Sequence, residues 1–294
     1  MLRSMNSAIS GMQAFQTDLD VVGNNIANVD TVGYKSNSAE FSDVLSQTMA
    51  GGNAGSTTTG GVNPEQVGLG VKVAATQMDM SQGADSTTGV ATNVAIQGNG
   101  FFVVTDGTHD YLTRAGDFSI DSAGNLVLPD GTIALGYATA PTSSSATAPT
   151  TKMNVITLAE NDLNGNGNQV PGVANVTIGS DGSITASVTD SSGNTTTKTL
   201  GYLALAQVPN PAGLVKTGDN LYEAQSAPAG SATYWTPGQG SYGTLAAGEL
   251  EQSNVDLSQQ FAEMIVAQNA YVANTHMIGT DNAILQALVN MKNS

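Results

Sequence analysis

The hydrophobic pattern changes twice along the chain and divides it into three parts. Near the amino terminus, and again from residue 253 onward, apolar residues recur at alternating steps of four and three, the spacing of a heptad repeat on a helix. Between residues 68 and 252 the pattern alternates with a period of two, which predicts β-strands. The chain therefore predicts an α+β fold, with long helices at both ends and an all-β body between them.

The carboxy-terminal helix is predicted over residues 253–294, where no proline interrupts the pattern. Asn254 or Asp256 can cap its first turn. Three positions of its heptad line are polar, namely Gln268, Thr275 and Asn282. The apolar positions of the line are Leu257, Phe261, Met264, Tyr271, Ile278, Leu285 and Val289.

The amino-terminal helix is predicted over residues 1–30, and it carries few charges. Because Arg3, Asp18 and Asp20 are its only charges before Asp30, it lacks a well-solvated face. We therefore expect the two helices to pair in a coiled-coil-like manner and to be buried further between subunits; packing within one chain alone is the alternative. The apolar positions of this second heptad line are Leu2, Met5, Ile9, Met12, Leu19 and Ile26.

The middle of the chain is expected to hold an extended connecting segment over residues 31–67 and a β-rich outer domain over residues 68–252. Within the connecting segment, residues 39–49 fit a short amphipathic turn or helix. In the outer domain, turn signals recur every eight to twelve residues, which is typical of an antiparallel sandwich or barrel. Residues 138–151 are low in complexity and predict a flexible loop.

The charge balance argues against several partners. With a formal net charge of −16 and only 8 Lys and Arg residues, the chain offers no basic surface for nucleic acid or an anionic membrane. No apolar run approaches the length of a transmembrane helix, so membrane insertion is not expected. Cysteine is absent, which removes disulfides and thiolate chemistry. The first residues also lack the apolar core of a cleavable signal peptide.

Candidate chemistry is sparse. The two histidines, His109 and His276, lie in no recognisable catalytic motif. Residues 162–167 match the start of a calcium loop, but Val173 occupies the position of its bidentate Glu. Tyr234 and Trp235 suit either a sugar-binding platform or a packed hydrophobic cluster. We therefore predict no catalytic residues, no metal ligands and no cofactor.

Four stretches carry a resemblance to the bacterial flagellar rod and hook protein family. They are residues 7–36, 94–104, 201–223 and 250–291, in the order that the family shows. The first stretch contains GNNIANVDTVGYKS and the last contains SNVDLSQQFAEMIVAQ. The motif residues that the chain shares with the family are Gly23, Asn24, Asn25, Ala27, Asn28, Gly33, Lys35 and Asn254.

The resemblance implies a structural subunit of the flagellar hook, a tubular helical polymer that transmits torque while bending. The terminal helices would form the inner tube and the β body the outer wall. The implied partners are other copies of the chain, the flagellar export apparatus, the hook cap, the rod and the hook–filament junction proteins, at an extracellular location reached without a cleaved signal. Because the chain lacks a large inserted outer domain, a distal or proximal rod protein is the alternative. A secreted β-rich adhesin remains a third reading, which leaves the helices unexplained.

Overall fold

A computed structural model of the chain describes residues 2–55, 60–141, 143–145, 147–153, 172–189, 195–223 and 228–292. It separates into two compact units. The first, here called the helical unit, comprises Met1–Ala27, Ser36–Asp79 and Val255–Ser294. The second, the strand unit, comprises Asn28–Lys35 and Met80–Asn254.

The helical unit contains both predicted helices, α1 (Leu2–Ala27) and α2 (Leu257–Lys292), which pack against each other. Asp256 caps α2, because its Oδ1 accepts hydrogen bonds from the backbone N–H groups of Ser258 at 2.8 Å and Gln259 at 3.3 Å. These bonds satisfy donors that a helix start leaves without an intrahelical acceptor. Within the described chain, neither helix combines the length and the hydropathy that crossing a bilayer requires.

Two strand pairs complete the helical unit, in a region where the sequence predicted a connecting segment. β1 (Asn37–Asp43) pairs antiparallel with β4 (Val71–Met78), and β2 (Ser46–Ala50) pairs antiparallel with β3 (Glu65–Gly68). The prediction of a helical turn over residues 39–49 is therefore wrong. A register shift between Glu40 and Phe41 breaks the strict alternation, and long-range pairing outweighs the local pattern.

The strand unit contains short strands, as the period of two predicted. They are β5 (Asp85–Thr87), β6 (Val94–Gln97), β7 (Phe101–Thr105), β8 (Asp110–Thr113), β9 (Ser119–Ile120), β10 (Leu126–Val127), β11 (Ile133–Tyr137), β12 (Thr151–Lys152), β13 (Gly172–Ile178), β14 (Ser183–Thr189), β15 (Thr195–Leu203), β16 (Leu205–Gln207), β17 (Lys216–Gly218), β18 (Leu221–Glu223), β19 (Thr233–Trp235), β20 (Thr244–Ala247) and β21 (Glu249–Glu251). A 3-10 helix over Pro211–Gly213 lies between β16 and β17.

The strand pairings described are all antiparallel. The main sheet follows the order β13-β14-β15-β11-β7-β8-β18-β17, with β9, β10, β12, β16 and β19 paired on its side branches. β20 pairs with β6 and β21 pairs with β5 in two smaller sheets. Helices at the two ends and an antiparallel β body confirm the α+β class, while these pairings do not establish a closed barrel.

One apolar cluster fills the strand unit. Phe102 and Phe118 meet edge to face, with ring centroids 5.2 Å apart. Trp235 packs at the margin of this cluster, where its ring is 6.1 Å from that of Tyr242 and its Nε1 donates to the carbonyl of Pro141 at 3.3 Å. These contacts favour the packing interpretation of Trp235 over the sugar platform.

The loop predicted over residues 138–151 has some fixed contacts. Ser145 exchanges two backbone hydrogen bonds with Tyr234, at 2.9 and 2.7 Å. After this loop, β12 pairs with β11 and Met153 is buried. Residues 162–167, whose partial match to a calcium loop lacks the bidentate Glu, lie outside the described residues.

Candidate assembly surface

Polar and small residues hold α1 against α2. Ser4 Oγ donates to Asp281 Oδ2 at 2.6 Å near one end, and Asn25 Nδ2 donates to Gln260 Oε1 at 2.9 Å near the other. The contacts run in opposite directions along the two helices, so the pair is antiparallel. Asn25, Gln260 and Asp281 are all buried, and their hydrogen bonds offset the cost of removing these groups from water.

Between these ends, the helices approach closely at Gly11. A Cβ atom added to Gly11 would lie 2.9 Å from Asn274 Nδ2. From Ser4 to Gly11 and from Asp281 to Asn274 the step is seven residues on both helices. The same register places Asp18 opposite Ala267, which is fully buried. The interface therefore repeats by heptads, with small or polar residues in each layer.

Asp18 is a second acidic residue of this interface, in addition to Asp281. Partial burial raises the pKa of its carboxyl, and the like charge of Glu263 on α2 raises it further. The carboxyl group of Asp18 therefore holds its proton to a higher pH than an exposed carboxyl group does. The helix pairing therefore carries an electrostatic cost at neutral pH.

The heptad line predicted on α1 lies one residue away from the line of residues that are buried. The buried residues of α1 are Ala8, Gly11, Ala14, Val22 and Asn25. The predicted residues Met5, Ile9, Met12, Leu19 and Ile26 are half-buried. The side chain of Leu2 lies outside what the structure describes.

On α2, the predicted line combines two sides of the helix. Met264, Tyr271, Ile278 and Leu285 are half-buried, and the buried residues beside them are Gln260, Ala267 and Asp281. By contrast, Leu257, Phe261 and Val289 are exposed, as are the polar positions Gln268, Thr275 and Asn282. Half of the predicted line thus faces away from the interface within the chain.

The exposed side of α2 is unusually apolar. Val266 is 66% exposed, Ile265 58% and Phe261 50%, although each is large and apolar. Exposed apolar residues in such number are typical of protein association sites. We call these residues, which lie on more than one side of the helix, the outer face of α2; they are Leu257, Phe261, Ile265, Val266, Val272, Met277, Ile284, Leu288, Val289 and Met291.

The β2–β3 pair is a second exposed feature of the helical unit. Every residue of both strands is exposed, and Met49 and Val67 are among them. Leu45 just before β2 is 82% exposed, and Leu69 just after β3 is also exposed. An isolated two-stranded sheet is marginal in water. Both features of the helical unit therefore present apolar groups that the chain itself leaves uncovered.

The family-motif residues divide between the two units. In the helical unit, Asn25 is buried, whereas Gly23, Asn24 and Ala27 are exposed. In the strand unit, Gly33 and Lys35 are buried, and Gly33 has a φ of 66°, a conformation that favours glycine. Asn28 accepts a hydrogen bond from Thr31 Oγ1 at 3.1 Å, and Asn254 Nδ2 donates to Ser81 Oγ at 3.1 Å. The buried motif residues thus make contacts inside the folded chain, as Asn25 does with Gln260 and Lys35 with Glu251.

The described residues offer no cluster suited to catalysis by metal. No group of three or more His, Asp or Glu side chains among them is placed to hold a metal ion. His109 and His276 are both exposed and far apart in sequence, one in the β8 turn and one on α2. What the described part of the chain presents is a paired-helix unit whose exposed side carries large apolar residues.

Comparison with protein families finds three matches, in chain order. The model described as "Flagella basal body rod protein" matches residues 5–35. "Flagellar hook protein FlgE/F/G D1 domain" matches residues 95–186, and "Flagellar basal body rod FlgEFG protein C-terminal" matches residues 246–291.

Relatives match over the whole chain. The flagellar basal-body rod protein FlgG of Bacillus subtilis is 41% identical over 294 residues, covering 99% of this chain and 100% of that protein. FlgG of Borreliella burgdorferi is 35% identical, covering 99% of both. The flagellar hook protein FlgE of the same species is 27% identical over 443 aligned positions, covering 100% of both chains. The chain belongs to the flagellar basal-body rod and hook protein family, whose members are structural proteins of the flagellum.

Proposed function

We propose that this chain is a subunit of the flagellar rod. The observation that carries the proposal is the end-to-end match to a rod protein, at 41% identity over 294 aligned positions that cover 99% of this chain and 100% of that protein. The alignment with the Borreliella hook protein needs 443 positions, and the additional positions are hook residues with no counterpart in this chain. This comparison favours the rod, the stated alternative, over the hook interpretation made from the sequence.

The hook remains a second candidate, on one specific observation. The flagellar hook protein FlgE of Treponema pallidum is 49% identical over 129 residues, whereas the rod protein of Bacillus subtilis is 41% identical over the whole chain. That match covers 44% of this chain and 28% of the hook protein. Local similarity in shared segments weighs less than an end-to-end match that covers both chains, because both kinds of subunit share their terminal motifs.

In the assembly, α1 and α2 would form the inner tube, paired in a coiled-coil-like manner. The support is the outer face of α2, where Ile265, Val266 and Phe261 remain exposed within one chain. Burial against neighbouring copies would remove this apolar area from water. Contacts between unlike surfaces that do not close generate a helical polymer. The strand unit would then form the outer wall.

The exposed β2–β3 pair would contribute to the same polymer. Its uncovered strand edges and apolar residues, Leu45 and Met49 among them, suit pairing with a neighbouring copy. As a flagellar subunit, the chain would also contact the flagellar export apparatus, the cap of the growing structure, and the hook and junction proteins. The location would be extracellular, reached by flagellar export without a cleaved signal.

Deleting the gene in the source bacterium separates the rod from the hook. If the chain is a rod subunit, cryo-electron tomography of the mutant will show basal bodies with neither a complete rod nor a hook. A complete rod that ends without a hook would instead assign the chain to the hook. Restoring the gene on a plasmid should recover the missing structure and motility, which excludes an effect on neighbouring genes.

Assembly through the outer face of α2 is tested by Ile265→Lys. Because Ile265 is 58% exposed, the folded monomer should tolerate lysine, with stability changed by no more than about 0.5 kcal/mol. In the polymer the same lysine would be buried without a partner, so polymer yield should fall by at least tenfold, roughly the factor expected for an unpaired buried charge. Pelleting and negative-stain electron microscopy measure the yield.

The control is Ile120→Lys, the same exchange at an exposed position of the strand unit. It should leave polymer yield close to that of the parent chain. If Ile265→Lys polymerises as well as Ile120→Lys does, the outer face of α2 does not take part in assembly.

A further inference from the structure

Three charged residues meet in the interior of the strand unit. Lys35 Nζ lies 2.6 Å from Glu251 Oε1, and Arg114 Nη1 lies 3.2 Å from Glu251 Oε2. The side chains of all three are at most 1% exposed. We call this group the ion cluster. It places two cations on one carboxylate in a region that water does not reach.

Backbone groups complete the ion cluster. Lys35 Nζ also donates to the carbonyl of Ser81 at 2.7 Å, and Arg114 Nη2 donates to the carbonyl of Gly98 at 2.7 Å. Glu251 Oε1 accepts from the N–H of Gly83 at 3.0 Å. Burial lowers the pKa of the Arg114 guanidinium, and the Glu251 carboxylate opposes that shift. Glu251 therefore supplies the charge that makes this burial tolerable.

The groups that Glu251 joins come from distant parts of the chain. They belong to residues 33–35, residues 81–83, the end of β6 and the end of β8. Glu251 itself is the last residue of β21, which is the last strand before α2. β21 pairs with β5. Its backbone carbonyl also accepts from the N–H of Gly33 at 2.8 Å. One residue of the last strand thus contacts the first segment of the unit through both its side chain and its backbone.

We propose that β21 is a latch, whose docking through Glu251 closes the strand unit as the last step of its folding. Before β21 docks, Lys35 and Arg114 lack the carboxylate that permits their burial, so residues 33–35, 81–83 and 96–98 cannot close around them. Removing one member of a buried ion group leaves uncompensated charge, which is far more costly than losing an exposed pair. The strand unit therefore reaches its closed state only with residues 249–251 in place.

The first test is hydrogen exchange on the full-length chain carrying Glu251→Gln. This change removes the charge and keeps the size. Amide exchange should accelerate at least tenfold in residues 33–35, 81–83 and 96–98 together, while β13, β14 and β15 keep their protection. Acceleration confined to β5 and β21, or spread evenly over the strand unit, would overturn the latch.

The matched control is Glu249→Gln, two residues earlier on the same strand. Glu249 is half-buried and its described side-chain contact is a 3.5 Å one to Thr87 Oγ1. It loses the same charge from the same strand without touching the ion cluster. Its exchange pattern should match that of the parent chain, and an equal response in both variants would also overturn the latch.

Folding kinetics test the order of events. Trp235, the only tryptophan of the chain, lies in the strand unit and reports on it alone. If β21 docks last, Glu251→Gln should raise the unfolding rate and leave the refolding rate within about twofold, as for a contact absent from the folding transition state. A refolding rate that falls in proportion to the lost stability would show that Glu251 acts early and contradict the proposal.

A rescue variant keeps the test decisive if Glu251→Gln does not fold. The triple change Lys35→Met, Arg114→Met and Glu251→Leu removes both cations together with the carboxylate. Exchanging a buried ion group for apolar residues is often tolerated. Cooperative unfolding by Trp235 fluorescence and restored protection of residues 81–83 are expected. If the triple variant fails as Glu251→Gln does, charge compensation is not what closes the unit.

Discussion

The contacts inside the helical unit and those inside the strand unit are of opposite kinds. In the helical unit, small and polar residues meet between α1 and α2, as at Gly11 and at the Asn25–Gln260 hydrogen bond. The large apolar residues Phe261 and Ile265 remain exposed. In the strand unit, aromatic and aliphatic side chains fill the interior around Phe102, and the ion cluster is the charged exception.

The difference predicts which unit is complete by itself. The strand unit has its own core of buried apolar side chains, so we expect it to fold without a neighbour. In the helical unit the buried residues of both helices are small or polar apart from Val22, whereas α2 exposes large apolar ones. Because isolated helices are marginal without packing, this unit is stabilised further when another surface covers it. We therefore expect the hydrophobic interior of the strand unit to drive folding and the hydrophobic exterior of the helical unit to drive assembly.

The largest effect on one chain is expected in the interior of the strand unit. Phe102→Ala removes a ring that is 1% exposed and that packs edge to face on Phe118. The free energy of unfolding of this unit should fall by about 3–5 kcal/mol. Denaturation followed by Trp235 fluorescence measures it. Ile120→Ala, at an exposed position, is the control, and equal losses in the two variants would contradict this account of the core.

A smaller effect is expected where α1 meets α2. Ala267→Leu inserts a larger side chain at a fully buried position, and overpacking there should cost about 1–3 kcal/mol in the stability of the helix pair. Thermal unfolding followed by circular dichroism at the helix wavelengths measures it, with Trp235 fluorescence unchanged. Ala273→Leu, on the exposed side of α2, is the control. Unchanged melting of Ala267→Leu would show that the helices do not pack closely in solution.

The heptad pattern predicted the two helices but only part of their contact surface. It placed Met264, Tyr271, Ile278 and Leu285 on the line that is half-buried. At Phe261 the line was displaced by one residue, because interpretation by hydrophobicity chose it where Gln260 is buried. Leu257 and Val289 on the same line are exposed. Small and polar residues at heptad spacing, such as Ala8, Gly11 and Ala14, were the available signal of close helix approach.

The β body shows a different limit. Alternating apolar residues and turn signals predicted strands, since both are local properties of a sequence. The ion cluster could not be predicted, because Glu251 is 216 residues from Lys35 and 137 from Arg114. Lys35 drew attention only as a family-motif residue. Contacts of this separation depend on the folded topology, which periodicity does not specify.

The smallest effect is expected from Asp18, and it is a dependence on pH. The pKa of its carboxyl is raised above the ordinary value of 3.8 by burial and by Glu263. The paired helices therefore bind a proton that the unfolded chain releases in the interval above 3.8, so the stability of the pair should rise as the pH falls through the raised pKa. Asp18→Asn should raise stability at neutral pH and remove this part of the dependence, whereas Asp20→Asn, at an exposed position of α1, should retain it. Circular dichroism melts at neutral and mildly acid pH measure both. If Asp18→Asn keeps the full pH dependence of the parent chain, Asp18 is solvated in solution and the polar interface is looser than its hydrogen bonds indicate.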